Sequence, residues 1–239
     1  MALLKLAASI AVLTLAASAA HAGTVLSDNF DSENGGASSL QYNSFANFNA
    51  IGGVDLVATP DYGITCAGGA GSCVDLAGTP GPGEIVSKDY YGFAAGDLVT
   101  LSFDISGNQR TDEANNFYGV FNFDGATTID NYSIGGAFGS QVIFPGDLVT
   151  SYISTSGSTT GVNQPFETYS ISFTAAQAGS VQVGIGSTEA SNVGPLLDNV
   201  SLSIGAVPEP ASWAMMLVGF GGLGATLRTS RRKAVSATA

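Results

Sequence analysis

Histidine, tryptophan and positive charge are all scarce in this 239-residue chain, and each scarcity removes a class of function. The single histidine, His21, sits in an N-terminal apolar segment, so the rest of the chain carries no imidazole. That excludes Ser-His-Asp and Cys-His catalysis, and also zinc or iron sites built on histidine. The single tryptophan is Trp213, and none occurs across 23–210, although glycosidase subsites commonly stack sugars on large aromatics. Two-carboxylate glycoside chemistry needs only Asp and Glu and stays open. Across 23–207 only Lys88 and Arg110 stand against 18 acidic residues, a net charge of −16 where the whole chain has −12. Such a segment repels nucleic acid and anionic membrane surfaces. Its acidity suits solubility, cation binding or contact with neutral polymers.

Cysteine occurs twice, at Cys66 and Cys73, around the small-residue loop CAGGAGSC. A loop this rich in Gly and Ala bends enough for the two sulfurs to meet, so a disulfide is expected. A metal site would need further Cys or His ligands, and the sequence has none to offer. No glycine-rich loop is followed by Lys-Ser/Thr, and GGAGS at 68–72 reads as slack in the disulfide loop rather than a phosphate cradle. Sustained helical periodicity is missing as well.

What is present falls into three parts. Residues 1–22 carry Lys5, an apolar stretch and a closing Ala-His-Ala, the pattern of a secretory signal read by signal peptidase. From 23 to 205, short alternating segments recur between turn signals: 24–30, 52–58, 73–78, 84–90, 98–106, 116–123, 167–175, 180–187 and 196–204. In 98–106, Val99, Leu101, Phe103 and Ile105 form one face and the polar residues the other. About ten such strands predict an all-β domain, a two-sheet jelly-roll sandwich, flanked by an N-terminal signal helix and a C-terminal transmembrane helix. Residues 125–165, rich in Gly, Ser and Thr, read as two edge strands or a long loop. GDLVT appears at 96–100 and 146–150 as two similar strand entries.

The third part is the tail. Residues 211–227 carry no charge and predict a helix of about 25 Å, at the lower end of what spans a bilayer core. Trp213 stands where an interfacial aromatic would anchor it. Arg228, Arg231, Arg232 and Lys233 place the basic cluster 228–233 on the cytoplasmic side as a stop-transfer signal, leaving 234–239 as a short cytoplasmic tail.

The order Val-Pro-Glu-Pro, a short apolar run beginning Trp-Ala-Met-Met and a terminal Arg-rich cluster closely resembles the PEP-CTERM sorting signal of Gram-negative bacteria, over 206–233. The module also circulates as the "ice-binding protein C-terminal domain", a label that implies nothing about ice. The resemblance implies recognition of Pro208, Glu209 and Pro210 by an exosortase-type membrane protease. Cleavage would follow, then release or re-anchoring at the cell surface or in the extracellular matrix. The family is associated with exopolysaccharide and biofilm production. The body is similar to galactose-binding-like and carbohydrate-binding-module jelly rolls through Asn29-Phe30-Asp31, the GGVDL strand at 52–56 and GPLLDNVSL at 194–202.

In those jelly rolls a structural calcium joins the first strand to the last, which here implies Asp31, Glu33 and Asp198 as ligands. In the competing reading Asp198 hydrogen-bonds neighbouring backbone, and Asp31 and Glu33 are surface turn residues. Tyr90, Tyr91 and Phe93 form the candidate aromatic patch for stacking a sugar, with Tyr118 and Tyr152 behind them; the alternative is packing between strands. The whole reads as an exported, non-catalytic module that binds or organises extracellular polysaccharide. The other readings are a structural adhesion or biofilm protein without glycan specificity, and a secreted carboxylate-dependent glycoside hydrolase.

Overall fold

Alternation of apolar and polar residues governs the architecture. A computed structural model describes residues 22–135, 141–143, 148–159, 164–206 and 219–222. The chain divides into two units, one of His21–Val207 and one of Met1–Ala20 with Pro208–Ala239. Thirteen strands are described in the first unit. They are β1 (Gly23–Asp28), β2 (Phe48–Gly52), β3 (Asp55–Ala58), β4 (Ser72–Asp75), β5 (Gly83–Ser87), β6 (Tyr91–Phe93) and β7 (Asp97–Ser106), followed by β8 (Asn116–Gly135), β9 (Gln141–Ile143), β10 (Leu148–Ser158), β11 (Glu167–Ala175), β12 (Gly179–Ser187) and β13 (Leu196–Ala206). Only single turns of 3-10 helix interrupt them, at Glu33–Gly36, Asp61–Gly63 and Ala67–Gly69.

The expected two-sheet sandwich is not what forms. The strands make one curled antiparallel sheet, a half-barrel, in the order β2-β5-β12-β8-β11-β7-β13-β4-β3. The cause is β8. Its 20 residues would extend about 65 Å, while a domain of roughly 185 residues has a radius of gyration of only about 16 Å. The strand is therefore shared. Residues 117–123 pair with β12, and residues 129–135 pair with β11. Between them lies Gly125, whose φ of +91° is open to glycine. Along its other edge β8 carries β10 and β9, so neither half has a boundary with the other. The segment 125–165, ambiguous in sequence, thus supplies the second half of β8 and its two partners.

The curl encloses one continuous core. Val99, Leu101, Phe103 and Ile105 of β7 are all fully buried, as their alternation predicts. Phe173 of β11 packs edge-on against Phe93, Phe121 and Phe123 at centroid distances of 5.5, 5.1 and 5.1 Å, drawing β6, β8 and β11 together. A second aromatic knot joins Tyr169 to Phe103 and Phe117. The first strand closes onto the last, β1 pairing with 200–204 of β13.

The transmembrane helix expected at about 211–227 is also corrected. No helix among the described residues is long and apolar enough to cross a membrane. Residues 219–222 form a single exposed helical turn. Gly219, Gly221 and Gly222 take three of its four positions, and each glycine costs about 1 kcal/mol of helix propensity against alanine. Residues 1–21 of the signal segment 1–22, Pro208, Glu209 and Pro210, residues 211–218 with Trp213 and 223–227 of the apolar run, the basic cluster 228–233 and the tail 234–239 lie outside the described residues.

Candidate functional site

Residues that alternate with the core on β10, β8, β12 and β5 line the opposite face of that part of the sheet, and their register places them in three cross-strand rows. Tyr152, Asn122 and Gln182 form the first. Ser154, Val120, Gly184 and Val86 form the second, and Ser156, Tyr118, Gly186 and Glu84 the third. Tyr152 is 62% exposed, while Val120 and Val86 are close-packed between their neighbours.

The two glycines leave room over β12 that side chains of the neighbouring strands fill. A Cβ on Gly184 would lie 2.5 Å from Oε1 of Glu84 and 2.8 Å from Val120. One on Gly186 would lie 2.6 Å from Cζ and the hydroxyl of Tyr118, and 2.9 Å from Cβ of Glu84. Side chains from β8 and β5 therefore reach toward each other over bare backbone, and Tyr118 and Glu84 meet in a side-chain hydrogen bond. Burial, then the neighbouring Glu84 carboxylate, pushes the Tyr118 hydroxyl up to about 12. Burial also raises Glu84, with the Tyr118 hydrogen bond opposing it. Gln182 donates from Nε2 to the carbonyl of Ser87 at 2.7 Å, which fixes its amide.

The residues singled out from sequence are distributed elsewhere. Phe93 is 6% exposed and belongs to the core, so it presents no ring to a ligand. Tyr91 packs partly against that core, and Tyr90 is the exposed member of the three. Asn122, Gln182 and Glu84 were not singled out from sequence. The parity of NFYGVFNF and SVQVGIGS carried the signal, since Phe117, Phe121, Val181 and Val183 point to the core and leave Tyr118, Asn122, Gln182 and both glycines on the other face.

The three carboxylates expected to hold calcium do not fit one cage. Glu33 is buried with its own partners, accepting from the Ala46 amide at 2.7 Å and from the Tyr42 hydroxyl at 3.2 Å. Asp31 accepts from the Ser72 amide at 2.9 Å and from Asn29 at 2.7 Å. Asp198 accepts from the amides of Asn199 and Ala67 at 2.7 and 3.1 Å. No group of three or more His, Cys, Asp or Glu side chains able to hold a metal ion is found among the described residues. The donors these oxygens take are backbone amides, the Tyr42 hydroxyl and the Asn29 side chain.

Two further features are structural. Cys66 and Cys73 are bonded, with Cα atoms 5.5 Å apart. Arg110 bridges buried Asp75 at 2.6 Å and also donates to the Asn192 carbonyl, tying the 108–115 loop to β4 and to the approach to β13. Burial nevertheless keeps Asp75 at about 6, against backbone donors and the Arg110 charge that pull it down.

Comparison with known proteins adds an address. Residues 206–233 match the PEP-CTERM protein-sorting motif. That motif implies an exported, surface-associated protein processed by an exosortase-type system of the Gram-negative kind. No curated protein matches the chain. Among solved structures, the chain is similar to the CBM22-1–GH10 modules of Clostridium thermocellum endo-1,4-β-D-xylanase 10B in complex with xylohexaose. That match has 15% identity, a TM-score of 0.38 and coverage of 75% of this chain and 28% of that one, so the chain spans little more than a quarter of that protein. It is also similar to the CBM22-1 xylan-binding domain of Paenibacillus barcinonensis Xyn10C, with 11% identity, coverage of 80% and 99%, and a TM-score of 0.37. A third is the K3 cleaved adhesin domain of Lys-gingipain from Porphyromonas gingivalis, with 15% identity, coverage of 77% and 99%, and a TM-score of 0.36.

Proposed function

We propose that this is an exported, surface-associated protein whose β domain binds extracellular polysaccharide without catalysing its cleavage. The observation that carries the reading is the face formed by β10, β8, β12 and β5. An exposed phenol, two amides and two serine hydroxyls sit in adjacent rows, the mixture of an aromatic face and hydrogen-bonding groups that a sugar chain requires. Non-catalytic binding is favoured because Glu84 is the only carboxylate in these three rows, whereas glycoside hydrolysis by the usual route takes two. The sorting motif supplies the setting, at the surface where such polymers are found.

The test is affinity electrophoresis of the full chain through gels containing neutral polysaccharides, for wild type and for Tyr152→Ala combined with Asn122→Ala. Retardation of wild type that falls at least about tenfold in the double variant supports the reading, a loss on the scale of one stacked ring and its hydrogen bonds. Equal retardation of both would place binding elsewhere. No retardation in any gel would favour the structural adhesion reading.

A further inference from the structure

The three rows of that face carry a single negative group, Glu84, at the β5 end of the third row, and its placement says what kind of polymer fits. Glu84 enters from β5 and Tyr118 from β8, and the two converge above Gly184 and Gly186, where any larger residue on β12 would displace them. A carboxylate has only acceptor sites, and the Tyr118 hydroxyl occupies part of that capacity. The remaining capacity is open to a donor from the face, such as a sugar hydroxyl.

We propose that Glu84, held in place by Tyr118 over Gly184 and Gly186, is the specificity-determining residue of the glycan-binding face and restricts it to uncharged polysaccharide, excluding uronate-bearing chains. The inference rests on the glycan-binding reading above. Hydroxyl-bearing neutral sugars donate to the carboxylate. A uronate brought to the same place sets two negative charges together at a partly desolvated surface, and such like-charge contacts act as the repulsive element of a selective interface. The nearest sequence neighbour with opposite charge, Lys88, is directed elsewhere, its Nζ donating to the Phe45 carbonyl at 2.6 Å. The glycines matter because they let the pair lie low across β12, so a flat polymer meets the carboxylate edge instead of being lifted off by side chains.

The experiment compares the full chain with Glu84→Gln and with Asp61→Asn. The latter removes the same unit of charge from the 3-10 turn beside β3, at the opposite end of the strand order from β2 and β5. Each protein is run against a panel of neutral glucan, xylan, galactan and mannan, and against polygalacturonate. Wild type is expected to bind at least one neutral polymer and to bind polygalacturonate at least tenfold more weakly. Glu84→Gln preserves shape and the contact with Tyr118, and is expected to close that gap by about tenfold while neutral binding changes by less than about threefold. Asp61→Asn should leave the gap as in wild type. If Glu84→Gln and Asp61→Asn shift the gap equally, overall charge is responsible and the assignment to Glu84 fails while glycan binding stands. Tight wild-type binding of polygalacturonate would overturn it too. If wild type binds no polymer of the panel, the glycan-binding reading falls first, and this inference with it.

Discussion

Asp198 and Asp104 stand directly opposite each other on β13 and β7, two carboxylates at one rung of an antiparallel pair. Asp104 is held by Thr168 and Asn199, while Asp198 is 3% exposed and turned toward the disulfide loop. Burial pushes Asp198 up to about 7, and the charges of Asp31 and Asp104 add to the shift against two backbone donors. In the unfolded chain it titrates near its ordinary value of 3.8.

The sign of the pH effect follows. Because the folded value lies above the unfolded one, the folded state holds more protons between about pH 4 and pH 7, so this group's contribution to stability is complete at the acid end and is lost as pH rises through that window. Asp75, raised to about 6, acts in the same direction. Thermal melts at pH 4.5 and 7.5 are expected to show a smaller difference for Asp198→Asn than for wild type, the variant gaining a few degrees relative to wild type at the higher pH. An unchanged difference would mean that Asp198 is already ionised in the fold.

Why Asp198 is buried was beyond the reach of the sequence. The run LLDNVSLSI alternates well enough to be read as a strand, and it is one. Yet the register shifts between Asp198 and Ser201, and Asn199 takes a φ of +49°, so Leu196, Leu197 and Asp198 are buried in succession. A bulge of this kind depends on what the neighbouring strand offers, which no local pattern records. Strands with regular parity, such as β7, β11 and the first half of β8, were legible because each apolar residue reports its own face. The single sheet was not legible, since it depends on β8 continuing past 123, where the alternation of 116–123 ends, into the Gly-, Ser- and Thr-rich segment 125–165. For the candidate site, Tyr118 and Tyr152 were visible as aromatics, but the importance of Glu84 depends on its being opposite Gly186.

The disulfide is expected to carry measurable stability. It closes a short loop that also presents the Ala67 amide to Asp198, and both sulfurs lie in a small apolar cluster with Val57, Ile64 and Leu196. On the chain-entropy account, removing it with Cys66→Ala and Cys73→Ala should cost about 2.5 kcal/mol. Urea denaturation of the double variant at pH 7 checks this; a midpoint equal to that of wild type would show that the loop is held by its hydrogen bonds alone.

Phe173 is the hinge of the aromatic core, touching rings from β6 and from β8. Phe173→Ala removes three edge-on ring contacts and leaves a cavity where the sheet curls. The expected loss is about 3–5 kcal/mol in denaturant titration, against about 1 kcal/mol for Phe173→Leu, which keeps most of the volume. Similar costs for the two would indicate that the core collapses around the gap.

Processing offers an independent check. Replacing Pro208, Glu209 and Pro210 together by alanine should leave the larger, unprocessed form in the producing cell, seen by immunoblot of cell and medium fractions. Identical band patterns for variant and wild type would separate the protein from exosortase-type processing.

The pairing of β1 with β13 has a temporal side. A chain exported from its N-terminus delivers β1 first and β13 last, so Gly23–Asp28 waits without its partner until roughly 180 residues have followed it across. Native closure of the sheet cannot precede arrival of Ala206, the last residue of β13. The Pro208 triplet begins two positions later. The last partner that β1 needs and the start of the sorting signal therefore arrive within a few residues of each other, so nearly the whole domain must cross before its first strand can pair.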